Sequence, residues 1–178
     1  MIFVPSMSDL FHREVPDSFI LEVFNVMAST PQHTYQDLTK RPLRMLNFQR
    51  RYFPDGFPKN VWAGTSVESH QVVGRIGILG QVKASVKFIS AEPLLASLFP
   101  VDLKDIDWVI TGGESDYKNP RPADVEWFRE IRDECKRLGI PYFHKQNGGK
   151  TKCKCHGVWG CELLDGKTCH EYPSEGSN

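Results

Sequence analysis

Short apolar runs alternate with longer amphipathic stretches along most of this chain. The runs at 2–6, 33–38, 61–66, 86–91, 107–112 and 141–143 have the length and the Val, Ile and aromatic content of buried parallel strands. Between them apolar residues recur at helical spacing. Phe19, Ile20, Val23, Phe24 and Met27 form one stripe after Pro16-Asp17, and Leu43, Leu46 and Phe53 form a second, with Arg44, Arg50 and Arg51 on the exposed side. Val72, Val73, Ile76, Ile78 and Leu79 predict a third helix, weakened by Gly74, Gly77 and Gly80. Val125, Phe128, Ile131, Cys135 and Leu138 predict the clearest helix, over 123–138, with Gly139 as its C-cap. Residues 96–106 read as irregular. Strands alternating with helices through short connections predict an α/β fold: a parallel β/α partial, TIM-like barrel of about six strands.

The pattern changes after Gly148-Gly149. Segments 158–164 and 167–171 flank Asp165-Gly166, the signature of a two-residue β-hairpin turn. The chain is therefore divided into a β/α partial-barrel domain, 1–149, and a Cys/His-rich hairpin tail, 150–178.

Each strand-like run ends in polar residues. Ser8, Asp9 and His12 follow the first, Lys40 and Arg41 the second, Glu68 the third and Glu92 the fourth; Gly112-Gly113-Glu114 follow the fifth and His144-Lys145-Gln146 the sixth. In β/α barrels the C-terminal strand ends carry the site. Any one such loop reads better as solvated surface, but six in sequence order favour convergence. The candidate ligand-binding residues are Ser8, Asp9, Lys40, Glu68, Glu92, Gly112, Gly113, Glu114 and Lys145; no catalytic residue is assigned. The glycines would allow close backbone approach to a ligand. The glutamates could serve acid–base chemistry, metal ligation or ion pairs with Lys40, Arg41 and Lys145. A ring of carboxylates and cations also suits a zwitterionic or phosphorylated ligand.

With 178 residues and 40% hydrophobic content the chain can bury one full core. Its formal net charge is zero, which argues against strong nonspecific attraction to nucleic acid. The basic helix at 44–51 nevertheless keeps one alternative open, a non-catalytic binding module for nucleic acid or a partner protein. No apolar stretch approaches the ~20 residues of a membrane span, and Met1-Ile2-Phe3-Val4-Pro5 does not resemble a signal peptide. A cytoplasmic protein without membrane contact is the expectation.

Cys153, Cys155, Cys161 and Cys169 crowd into the tail with His156 and His170. Such clustering in a reducing compartment suggests metal before disulfide. A two-residue turn at Asp165-Gly166 would set Cys161 opposite His170, with Cys169 on the other face. Cys153, Cys155, Cys161 and His170 are then the predicted zinc ligands, His156 a substitute, and free thiols the alternative. Without its own preceding β/α unit, the first strand would be a sheet edge with unpaired backbone groups. It is expected to be paired with another chain, as in self-association, or covered by the tail.

The runs Phe3-Val4-Pro5-Ser6-Met7-Ser8-Asp9-Leu10-Phe11-His12, Leu38-Thr39-Lys40-Arg41-Pro42, Val61-Trp62-Ala63-Gly64-Thr65-Ser66-Val67-Glu68 and Ser90-Ala91-Glu92-Pro93-Leu94 occur together here. With 107–115, His144-Lys145-Gln146 and Leu164-Asp165-Gly166-Lys167-Thr168, they resemble the uncharacterised phage and prophage gp thirty-seven/gp sixty-eight family, in order and over nearly the whole chain. That resemblance implies a barrel distantly like radical S-adenosylmethionine enzymes and a three-Cys-motif protein as partner. It also implies an N-terminal three-cysteine segment that would hold an iron–sulfur cluster. This sequence begins at the family's second strand, so the expectation is a truncated or split member. S-adenosylmethionine and the cluster would apply only where the missing segment is supplied. The resemblance also places an aromatic residue at Cys169, which supports leaving that thiol out of the metal set.

Overall fold

The computed structural model describes residues 1–4, 8–116, 118–153, 157 and 160–174. Six strands form one parallel sheet in sequence order: β1 (Ile2–Phe3), β2 (Tyr35–Thr39), β3 (Val61–Ser66), β4 (Lys87–Ala91), β5 (Trp108–Gly112) and β6 (Tyr142–Gln146). The order without reversal curls the sheet into half a barrel. Helices α1 (Asp17–Ser29), α2 (Pro42–Tyr52), α3 (Gly74–Leu79) and α4 (Val125–Leu138) cover its convex face. A separate antiparallel hairpin, β7 (Leu163–Leu164) and β8 (Lys167–Thr168), follows. Among the described residues no helix is long and apolar enough to cross a membrane.

The helices begin and end where local chemistry directs. Pro42 opens α2, where its missing N–H costs nothing. Asp124 caps α4 by accepting from the Glu126 N–H, so this helix starts two residues later than its apolar pattern suggested. Gly139 closes it in the left-handed conformation, φ 71°. The glycine-rich third segment forms only a 3-10 turn, His70–Val72, and the six residues of α3.

The main core lies between sheet and helices. Phe24 of α1 packs against Phe48 of α2 and against Phe53 and Phe57, and Phe128, Ile131 and Cys135 anchor α4. A second, smaller cluster occupies the concave face, where Trp62, Val86, Phe88 and Trp108 are buried. Gly64 makes room there, since a Cβ on it would run into the Phe88 ring.

The hairpin turn is as the Asp165-Gly166 pair predicts, with both residues at positive φ (55° and 75°). Among the described residues the tail does not cover β1. It runs antiparallel along the outer edge of β6: His144 N–H donates to Cys169 O (2.7 Å) and Glu171 N–H to Tyr142 O (3.1 Å). Leu164 joins the main core, and Asp165 accepts from Arg129 and Arg132 of α4. β6 is also longer than expected, so His144, Lys145 and Gln146 lie on a strand and point to alternate faces.

Candidate functional site

Strand periodicity of two builds the site. Gln36 and Leu38 on β2, Ser66 on β3, Phe88 and Ser90 on β4, Trp108 and Ile110 on β5, and Phe143 and Lys145 on β6 all point to the concave face. They line a cavity of about 590 Å³ with Met1, Phe3, Ser8, Asp9, Lys40, Arg41, Glu92 and Tyr172. Its floor is aromatic. Trp108 meets Trp62, Phe88, Phe143 and Tyr172 at ring distances of 5.9, 5.8, 6.2 and 5.5 Å, and its indole N–H donates to Glu171 O at 2.9 Å.

The rim at the C-terminal strand ends is a series of ion pairs. Asp9 takes the Arg41 guanidinium at 2.6 Å, and also accepts from Thr39 Oγ1, Phe11 N–H and Lys40 N–H. Glu68 lies between Lys40 and Arg75, the latter at 3.0 Å. Burial alone would raise the Glu68 pKa, but the Lys40 hydrogen bond and the neighbouring cations outweigh it and hold the carboxyl below its usual range. Glu92 pairs with Lys145 at 2.9 Å. Cation and carboxylate thus alternate around the opening, above Ser66 and Ser90.

Gly113 and Glu114 line a neighbouring depression of about 450 Å³ that shares Glu92 and Lys145 with the first. A Cβ on Gly112 would come within 3.1 Å of the Glu92 carboxyl, and one on Gly113 would run into the Asn147 carbonyl. The space over both glycines is therefore filled by this chain itself. Arg121 clamps Glu114 through its guanidinium and its own N–H (2.7 Å), and that hydrogen bonding pulls the Glu114 pKa down to about 2. Of the predicted set, Ser8, Asp9, Lys40, Glu92 and Lys145 line the main cavity. Glu68 braces Lys40, and Gly112, Gly113 and Glu114 belong to the structure beside it.

Sequence reasoning passed over Gln36, Ser66, Ser90, Arg75, Phe143 and Tyr172. The two serines carried a signal, because they are the last inward positions of their strands. Arg75 lies seven residues after Glu68, and Tyr172 enters only through the tail's path, so neither was legible.

Behind the cavity lies a closed polar relay. The Thr111 hydroxyl sits 2.7 Å from Tyr142 OH and 3.0 Å from His144 Nδ1, and His144 Nε2 is 3.0 Å from Asn147 Oδ1. Nε2–H donating to Asn147 and Nδ1 accepting from Thr111 satisfies the ring as a neutral imidazole. Burial pushes its pKa down to about 4. Asp37, on the helix side of β2, is fully buried with neither oxygen hydrogen-bonded. Burial, with the nearby Asp9, raises it to about 7.

The predicted zinc set, Cys153, Cys155, Cys161 and His170, is described only in part. Cys155 lies outside the described residues, as does the substitute His156. Among the described residues no group of three or more His, Cys, Asp or Glu side chains is placed to hold a metal ion. The His170 ring stacks on Phe143, 4.5 Å between centroids. None of the described cysteines lines the concave cavity, so its residues do not fit an iron–sulfur cluster.

Fold and site together define a parallel β/α half-barrel protein with a charged, aromatic-floored cavity on its concave face. Residues 1–173 match the family described as protein of unknown function (DUF5131), and the chain belongs to that family. Comparison with curated proteins and with solved structures finds no match.

Proposed function

We propose that the concave face binds a small zwitterionic ligand with a flat ring, and that the chain is a ligand-binding half-barrel without a cluster of its own. The observation that carries this is the meeting of an alternating rim, Arg41–Asp9, Lys40–Glu68 and Lys145–Glu92, with the floor of Phe88, Trp108 and Phe143. Paired charges can exchange partners with a ligand's ammonium and carboxylate without leaving a net buried charge. The volume of about 590 Å³ falls in the range of small-molecule sites. S-adenosylmethionine, implied by the phage-family and radical-enzyme resemblance, is the specific candidate; its amino-acid end is zwitterionic and its sulfonium adds one positive charge, which the aromatic floor would face. Glu92 would take its ammonium, Lys145 or Arg41 its carboxylate, and the aromatic floor its adenine. When bound it would supply a reactive sulfonium; no redox step is assigned to this chain.

The basic-helix alternative draws less support. Arg44 is spent on His12 O, Val15 O and Asp17, and Arg50 on Gln81. Tryptophan fluorescence tests the proposal, since Trp108 lines the cavity. S-adenosylmethionine should change the emission saturably and more tightly than adenosine or methionine alone. An unchanged spectrum, together with binding of single-stranded DNA or RNA at low salt, would favour the alternative.

A further inference from the structure

The β1 side of the half-barrel is open in a way the β6 side is not. Ile2 N–H donates to Thr34 O (2.7 Å) and Val4 N–H to Gln36 O (3.0 Å), so both face β2. In a parallel ladder the intervening residue faces the other way. Phe3 therefore presents its N–H and C=O outward, where among the described residues no strand pairs with it. Apolar side chains surround that edge. Met1, Ile2 and Phe3 are 62%, 40% and 43% exposed.

Helix α1 adds to the same side. Its Asp17 carboxylate reaches Arg44 and Tyr52, which places α2 on that flank. At about 100° per residue, Val26 stands about 180° and Phe19 about 200° round the helix from Asp17. These two, 61% and 51% exposed with half-buried Val23 beside them, thus face away from α2. Of the nine exposed large hydrophobics among the described residues, five lie at the chain start, Met1 to Phe3, or on this flank, a concentration that marks an interface more than a random surface.

We propose that this edge is a twofold interface between two copies of the chain, built on antiparallel β1–β1 pairing centred on Phe3. A residue with outward N–H and C=O is self-complementary. On a twofold axis it exchanges both hydrogen bonds with the partner subunit's Phe3, as directly opposed residues do in antiparallel sheets. The pairing joins the two six-stranded sheets and brings the Phe19–Val26 flanks of both α1 helices toward the shared edge. It also removes an edge that is otherwise a template for aggregation. The side chains of Met1, Ile2, Phe3, Phe19 and Val26 are all apolar, which matches a second copy of the same patch better than an acidic or nucleic-acid partner.

Sedimentation velocity over a broad dilution series tests this. The protein should run at twice the monomer mass, and Val26→Glu and Ile2→Lys should each return it to monomer with an unchanged circular dichroism spectrum. Oxidised Phe3→Cys should form a covalent dimer that the unsubstituted protein does not, because opposed hydrogen-bonded residues lie about 5.5 Å apart at Cα, within disulfide reach. A monomer at every concentration overturns the proposal. So does a dimer that neither Val26→Glu nor Ile2→Lys weakens. Val26→Glu lies on an already exposed flank, so it keeps the test decisive if Ile2→Lys fails to fold.

Discussion

Asp37→Asn should stabilise this protein by an amount that grows as pH rises from about 4 to about 7 and then levels off. Asp37 is buried without a hydrogen-bond partner, and its pKa is raised from 3.8 to about 7. A raised carboxyl favours the protonated native state. Stability from this group is fully present below pH ~3.8 and is lost as pH rises through ~7. The difference of roughly three pKa units amounts to about 4 kcal/mol, the upper bound for the gain from an uncharged isostere. His144 acts in the opposite sense. Its pKa is lowered from 6.5 to about 4, so its contribution is present above pH ~6.5 and lost as pH falls toward 4, by roughly 3 kcal/mol. Between pH ~4 and ~6.5 the two slopes cancel in the native sequence, while Asp37→Asn exposes the His144 slope, about 1.4 kcal/mol per pH unit. The assay is the urea midpoint of both proteins from pH 4 to 8. Because His144 and the surface carboxylates are common to both, the difference isolates Asp37. A difference that stays constant across this range would mean that Asp37 is ionised with an ordinary pKa, and the reasoning would fail.

Trp108→Ala removes a buried ring with four aromatic neighbours and the hydrogen bond to Glu171, and should cost about 3–5 kcal/mol in urea titration. Hydrogen exchange in the same variant should rise at residues 169–172. Gly113→Ala forces a Cβ against the Asn147 carbonyl and should cost at least 1–3 kcal/mol, whereas Gly77→Ala, with open space around it inside α3, should gain about 0.5–1 kcal/mol. Glu114→Gln should leave the urea midpoint nearly unchanged, because its Arg121 clamp lies at the surface, while speeding hydrogen exchange over 118–122. Zinc on Cys153, Cys155, Cys161 and His170 is a proposal that metal analysis decides, at about one ion per chain. Backbone bonding to β6 and the Asp165 pairs predict that chelation leaves residues 160–174 in place by hydrogen exchange.

Where local pattern and tertiary placement agree, the sequence was enough. Residues 61–66, fully buried, read as a strand and are one; the α4 stripe and its Gly139 cap need no tertiary information; Asp165-Gly166 supplies two positive-φ residues on its own. The misreadings arise where a neighbour decides. His144-Lys145-Gln146 looks like a loop by composition, yet β5 and the tail pair with it from either side, and its three polar side chains find Asn147, Glu92 and Ser115. The tail was a candidate cover for β1, but its register with β6 depends on contacts such as Trp108 with Glu171 that no local signal encodes. Gly112 and Gly113 suggest ligand access until Glu92 and Asn147 are seen filling the space. The ring of carboxylates and cations was legible as a set of strand-end residues. Its pairings, and the aromatic floor beneath it, were not.

Calorimetric titration of S-adenosylmethionine into the protein, into Glu92→Gln and into Lys145→Ala tests the central claim most directly. One site per chain is expected, with each substitution weakening binding at least about tenfold, the equivalent of 1.4 kcal/mol, while the urea midpoint stays close to that of the native sequence. No heat of binding, or equal affinity in all three proteins, would contradict it.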